Sequence, residues 1–185
     1  MLMSLAVWQC IGRYASFVDH PNISVAEVEE RSKTFERWSA RLDLNRATLL
    51  TADVGGVLLR DRLTAVDLGM LVNRPIALTL GEYRHEPDRD AFHDYLFGAV
   101  RPDFIAIRAY HAWLADLDSD SRFGRDYVPV SEYVDTWVMD RYEQRVLSGD
   151  YVRRSLVVDK PDILQAMRGE AGRLSYPFCA DCPAR

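Results

Sequence analysis

Candidate chemical groups stand together in one stretch of the chain. Asp53 and Asp67 each stand at or near the end of a short apolar segment, and Glu82 and His85 follow a little further on. Two carboxylates and a histidine could bind a cation or a pair of sugar hydroxyls, or could act as acid and base. Aspartates at such positions more commonly accept backbone N–H bonds in turns, and the sequence leaves both roles open.

The pair Gly55-Gly56 stands beside Asp53 and could leave room for a ligand or for close packing of two elements. The spacing is not that of a dinucleotide fingerprint, because no G-x-G-x-x-G follows a strand here. The sequence also has no P-loop, no G-x-S-x-G elbow, no H-E-x-x-H and no EF-hand spacing. A Ser-His-Asp site stays open, since such a site is assembled in space. No complete catalytic motif can therefore be read.

The segments that must position these residues alternate between helices and short apolar strands. This order predicts an α/β fold with a mainly parallel open sheet of about four or five short strands and helices packed against it. Ligands of such sheets favour the crevice at the carboxyl ends of the strands, where Asp53 and Asp67 are expected. The predicted strands are 47–52 continuing through 57–59, 64–69, 104–108, 127–130 at a sheet edge because of Pro129, and 151–158. The predicted helices are 2–18, 25–42, 75–80, 89–97, 110–117, 133–147 (helix or strand, with helix favoured) and 161–168.

Size and composition fit one globular domain. The chain has 185 residues, of which 48% are hydrophobic and 28% are charged, so it can bury a sizeable core. We expect a single α/β domain over residues 1–175, with N-terminal helices at about 2–42, and a C-terminal tail at 176–185. The net charge of -5 argues against nucleic acid as a partner, because phosphate binding needs clustered Lys and Arg.

Cys179 and Cys182 form a C-x-x-C flanked by prolines in the predicted tail. This spacing fits half a zinc site, a redox pair or a local disulfide. A structural zinc site needs four ligands, and the sequence has no second C-x-x-C. The sequence therefore predicts no cofactor and no metal, with the cysteine pair as the alternative metal site.

No segment of the sequence has the roughly 20 apolar residues of a membrane-spanning helix, and residues 1–12 lack the basic start and the cleavage site of a signal peptide. A soluble cytoplasmic protein is the default expectation. The alternative is a soluble piece that works beside a membrane protein, in which case the compartment is extracytoplasmic. The oligomeric state stays open.

Three groups of residues resemble a known family. The runs Leu50-Thr51-Ala52-Asp53-Val54-Gly55-Gly56-Val57-Leu58, Ala65-Val66-Asp67-Leu68-Gly69-Met70 and Arg101-Pro102-Asp103-Phe104-Ile105 are similar to segments of the soluble extracytoplasmic C-terminal domains of bacterial multispanning membrane glycosyltransferases, of the arabinosyl- and mannosyltransferase type. The resemblance covers roughly residues 25–130. Met70-Leu71-Val72-Asn73 departs from the family's Gly-Leu-x-Asp. In that family the catalytic carboxylate belongs to the membrane part, so the resemblance implies a domain that is not an enzyme by itself.

Three functions follow as expectations. The first is a non-catalytic domain of cell-envelope polysaccharide assembly that binds a glycan or a membrane-associated glycosyltransferase, with Asp53, Gly55, Gly56, Asp67, Glu82 and His85 as candidate ligand-binding residues. The second is a small stand-alone hydrolase or transferase that uses Asp53, Asp67 and His85 in a strand-end cleft. The third is an interaction module whose helix Met1–Phe17 packs on another chain.

Overall fold

A five-stranded open sheet lies at the centre of the fold. The structure is a computed structural model that describes residues 25–81, 86–135 and 146–171. The strands follow the spatial order β2-β1-β3-β5-β4. Their bounds are β1 Ala47–Thr51, β2 Leu63–Asp67, β3 Phe104–Ile107, β4 Tyr127–Val134 and β5 Leu147–Arg153. The α/β class and the open sheet of five strands agree with the sequence-based prediction.

The sheet is mixed, so the prediction of a mainly parallel sheet is wrong. β1 pairs in parallel with both β2 and β3, whereas β5 runs antiparallel to β3 and to β4. β4 lies at the sheet edge, as Pro129 predicted. Its buried residues Tyr127 and Val130 are three positions apart rather than two, because the register with β5 shifts between Pro129 and Ser131. The order of helices and strands along the chain does not indicate that β5 runs antiparallel to its two neighbours.

Seven α-helices pack around the sheet in the described part of the chain. Asn73 and Asp88 act as N-caps, since their side chains accept hydrogen bonds from the N–H groups of Ile76 and Ala91. A π-helical turn over Asp94–Val100 continues the fourth helix, and 3₁₀ turns occupy Leu117–Ser119 and Arg154–Leu156. The bounds are α1 Val25–Arg41, α2 Val54–Val57, α3 Arg74–Leu80, α4 Arg89–His93, α5 Ala109–Ala115, α6 Ser121–Asp126 and α7 Pro161–Ala171.

Three predicted elements differ from the structure. The segment 57–59 does not continue β1, because the chain turns into α2 immediately after Asp53. The segment 133–147 is not one helix, since β4 extends to Val134 and β5 begins at Leu147, while 136–145 lie outside the described residues. The last strand lies earlier than predicted, because residues 154–156 form a 3₁₀ turn and residues 157–159 a further turn.

The core consists of two apolar layers, one on each face of the sheet. On one face α1 and α7 cover Leu49, Phe104 and Val152. On the other face α3 to α6 cover Leu50, Ile105 and Tyr151, among others. The fully buried Trp38 of α1 donates from Nε1 to Glu170 Oε2 of α7 at 3.0 Å, across 132 residues of chain. In the described part of the chain, none of the helices combines the length and the apolar composition that a membrane span requires.

The amino ends of β1 and β3 are joined by the side chain of Asp103. Its Oδ2 accepts hydrogen bonds from Thr48 N at 2.8 Å and Thr48 Oγ1 at 2.9 Å. Its Oδ1 accepts from Arg153 Nη2 at 2.5 Å, and Arg153 Nη1 also donates to the carbonyl of Arg101 at 3.0 Å. Charge-assisted bonds of this kind are strong. The Arg-Pro-Asp segment at 101–103 therefore holds three strands together at this end of the sheet.

Candidate functional site

A cavity of about 410 Å³ opens at the carboxyl ends of β1 and β3, between the sheet and α1. Its wall is mostly apolar and carries a few polar groups, which is the usual make-up of a small-molecule site. Its size falls within the roughly 300–1,000 Å³ of such sites. The lining residues are Val28, Arg31, Ser32, Phe35, Leu49, Thr51, Ala52, Asp53, Gly56, Val57, Ala106, Arg108, Ala109, Tyr110, His111, Tyr133, Asp135 and Asp150.

Asp53 enters the wall because β1 ends two residues earlier and α2 begins at the next residue. Its N–H donates to Thr51 Oγ1 at 3.0 Å, which turns the chain at the strand end. Its side chain stands at the N-cap position of α2 without capping it. Within residues 25–81, 86–135 and 146–171, no group forms a hydrogen bond or ion pair with the Asp53 carboxylate. This half-buried acid is thus available to a ligand.

Gly56 lets α2 lie directly on α1 beside the cavity. A Cβ at this position would lie 2.8 Å from Val28 Cγ1 and 2.8 Å from the Val28 carbonyl oxygen. These distances are too short for any side chain, so glycine is required. Gly55 is exposed and a Cβ there would meet nothing within 4 Å. Of the two glycines, Gly56 lines the cavity and Gly55 does not.

Asp67 lies at the end of β2 and is completely buried. Its Oδ2 accepts a hydrogen bond from Val72 N at 2.6 Å, which confirms the turn-forming role that strand-end aspartates commonly have. Its Oδ1 has no hydrogen-bond partner in the described part of the structure. Asp67 does not line the cavity, so it contributes to the site through its charge.

His111 of α5 is the histidine that the fold brings to the cavity. Burial lowers its pKa, because desolvation disfavours the imidazolium, and the negative charge of Asp67 opposes part of this effect. His111 is therefore mainly neutral at pH 7. Sequence reasoning missed this residue, although it follows β3 at the same sheet edge as Asp53.

A polar network fixes the opposite wall. Arg108 Nη2 binds Asp150 Oδ1 at 2.5 Å, and Arg108 Nη1 donates to the carbonyl of Ile107 at 2.7 Å and to that of Gly149. Asp150 Oδ2 also accepts from Ser131 Oγ at 3.0 Å. These contacts tie the ends of β3, β4 and β5 together, so the charges of this wall are held in place.

The turn from β3 into α5 is strained beside this network. Ala109 has a φ of 47°, in the left-handed region that alanine rarely adopts and that costs on the order of 1 kcal/mol or more. Its N–H donates to Ser148 Oγ at 3.0 Å, and Ser148 Oγ lies 3.3 Å from Asp135 Oδ2, to which it donates. This unusual backbone directs Tyr110 and His111 of α5 to the cavity wall.

The structure brings together part of the predicted site. Asp53 and Gly56 lie in the cavity wall, Gly55 stands outside it, and Asp67 lies buried behind it. Glu82 and His85 lie outside the described residues, as do Cys179 and Cys182. No group of three or more His, Cys, Asp or Glu side chains in the described ranges could hold a metal ion. The helix 1–17 of the interaction hypothesis also lies outside these ranges.

Comparisons with protein-family models, with curated proteins and with solved structures find no match to this chain. The resemblance to glycosyltransferase C-terminal domains stays a prediction. Among the described residues, the cavity offers the Asp53 carboxylate without a partner, guanidinium donors and aromatic rings on a mainly apolar wall.

Proposed function

We propose that this protein binds a sugar unit in the cavity at the carboxyl ends of β1 and β3. The observation that carries the proposal is the Asp53 carboxylate, which lines a cavity of small-molecule size and has no partner among the described residues. A carboxylate has two acceptor oxygens and can therefore take two neighbouring hydroxyl groups at once.

The rest of the wall supports a sugar in particular. A sugar ring has both hydroxyl groups and an apolar C–H face. The rings of Phe35, Tyr110 and Tyr133 border the cavity and offer apolar surface to that face. Arg31 reaches the same cavity from α1 and supplies N–H donors. In this proposal the chain binds its ligand without changing it, and the glycan could belong to an envelope polysaccharide, as the resemblance implies.

A titration with saccharides tests the proposal. We expect calorimetry on the full chain to detect binding of at least one member of a panel of hexoses, hexosamines, N-acetylhexosamines and pentoses. Asp53→Asn should weaken that binding about tenfold, because a hydrogen bond to a charged acceptor is replaced by one to a neutral acceptor.

The matched control is Asp61→Asn, which makes the same chemical change at an exposed residue in the turn before β2. This variant should bind as the unchanged protein does. The proposal is wrong if no saccharide of the panel binds, or if Asp53→Asn and Asp61→Asn bind equally well.

A further inference from the structure

The charges of the cavity wall do not balance. Two guanidinium groups line it, those of Arg31 and Arg108, against three carboxylates, those of Asp53, Asp135 and Asp150. The buried carboxylate of Asp67 stands close enough to act on the charge of His111. His111 itself adds no full positive charge at pH 7. The wall thus has one negative charge in excess, and Asp67 adds a second behind it.

The three lining carboxylates differ in their partners. Asp150 is paired with Arg108 at 2.5 Å and also accepts from Ser131. Asp135 accepts a hydrogen bond from Ser148. In the part of the chain that the structure describes, Asp53 is the lining carboxylate with neither a hydrogen-bond nor an ion-pair partner, so the excess charge is assigned to it.

A charge on a mainly apolar wall is costly unless a partner compensates it. A cationic ligand group would supply that compensation, and it would gain from the nearby rings as well. The face of an aromatic ring attracts a cation within about 6 Å of its centroid. Tyr110, whose ring lies 5.6 Å from that of Trp113 and 5.5 Å from that of His111, borders the cavity together with Tyr133.

From this charge distribution we propose that the bound sugar has a free amino group, and that its ammonium pairs with the Asp53 carboxylate. This inference rests on the sugar site proposed above and names its ligand class, the hexosamines. Arg31, on the α1 side of the cavity, donates to hydroxyl groups of the same ring. No bond of the sugar is formed or broken.

Three matched sugars test the inference. Glucosamine, glucose and N-acetylglucosamine share one ring and differ at one substituent, which is cationic only in the first; the galacto and manno series provide the same comparison. In calorimetric titrations at pH 7 with the full chain, we expect the free amine of at least one series to bind about tenfold tighter than both neutral relatives. Asp53→Asn should remove this preference, and Asp61→Asn should retain it.

The outcomes separate the two proposals. Suppose that sugars bind, that Asp53→Asn lowers the affinity for all of them, and that the free amine binds no more tightly than its neutral relatives. The sugar site is then supported, and the inference of an amino group on the ligand is wrong. A preference for the amine that persists in Asp53→Asn also overturns the inference, since another group then holds the cation. If no sugar of the three series binds, the inference about the amino group is wrong, and if no saccharide of the whole panel binds, both proposals are wrong.

Discussion

Both ends of the central sheet have aspartate side chains, but the carboxylate is fully hydrogen-bonded at one end and lacks partners at the other. At the amino end Asp103 accepts three hydrogen bonds, from the backbone and hydroxyl of Thr48 and from Arg153. At the carboxyl end Asp53 has no partner in the described structure, and one oxygen of Asp67 has none. Each of these aspartates lies at the end of a parallel strand or within two residues of it, so the position along the chain does not by itself explain the difference.

The difference between the two ends indicates that the amino end stabilises the sheet and that the carboxyl end is suited to binding a ligand. A fully bonded carboxylate such as Asp103 has no acceptor capacity left for a ligand, and it holds strands together. A carboxylate without a partner, such as Asp53, adds little to stability but can bind a ligand group. Sites built in this way typically sacrifice some stability.

The largest expected loss of stability follows from removing the Asp103 hydrogen bonds at the amino end of the sheet. Asp103→Ala should lower the free energy of unfolding by about 3 kcal/mol, because it leaves Arg153 and the Thr48 groups without their acceptor. Asp53→Ala should change it by less than about 1 kcal/mol, because no bond is lost. Urea denaturation followed by circular dichroism measures both. If both variants lost the same free energy of unfolding, the two ends of the sheet would not differ in their contribution to stability.

A smaller effect is expected where α2 packs on α1. Gly56→Ala should destabilise the fold by about 1–3 kcal/mol, because its methyl group would collide with Val28 and the helices must separate. Gly55→Ala has open space and should be neutral or stabilising by up to about 1 kcal/mol. Thermal unfolding of the pair measures the difference. A stable Gly56→Ala protein would show that α2 can shift on α1.

The smallest expected effect concerns His111 and pH. Its folded-state pKa is lowered below the ordinary value, so the unfolded chain takes up a proton first as the pH falls. The stability contributed by the neutral imidazole is therefore complete above about pH 7 and is lost as the pH falls through the folded-state pKa. Urea denaturation from pH 7 to pH 5 should show this loss, and His111→Gln should reduce it.

Asp67→Asn provides the matched measurement at the same histidine. The Asp67 charge raises the pKa of His111, so its removal should lower that pKa further, whereas Asp61→Asn should leave it unchanged. An NMR titration of the His111 ring protons measures the shift. An unchanged pKa in Asp67→Asn would show that the carboxyl end is less strongly negative than the structure indicates.

The positions of the strands could be predicted from local sequence patterns, but their parallel or antiparallel directions could not. β1 and β3 are short segments of mainly apolar residues, and Pro129 marks β4 as an edge strand. The antiparallel insertion of β5 between β3 and β4 depends on contacts distant in sequence. The same limit explains the segment after Asp53, where two glycines allow a helical turn packed against α1 and the apolar residues alone suggest more strand.

The candidate site was predicted as far as strand ends determine it. Asp53 and Gly56 follow β1, and they line the cavity. His111 follows β3, the neighbouring parallel strand, and the same rule applied there would have indicated it. Arg31 could not be predicted, because it stands on a helix that crosses the strand ends only in the folded protein. The Arg-Pro-Asp sequence likewise does not indicate that Asp103 joins strands at the opposite end of the sheet.

The bond between Trp38 and Glu170 has a consequence for the order of synthesis. The two residues can meet only after all of the chain between them has left the ribosome, and closing so long a loop is entropically costly. α1 is therefore made early and completes its packing late. Until α7 arrives, the indole N–H of Trp38 lacks the acceptor it has in the native fold. An interrupted chain that ends before α7 would thus present an incomplete apolar layer to chaperones.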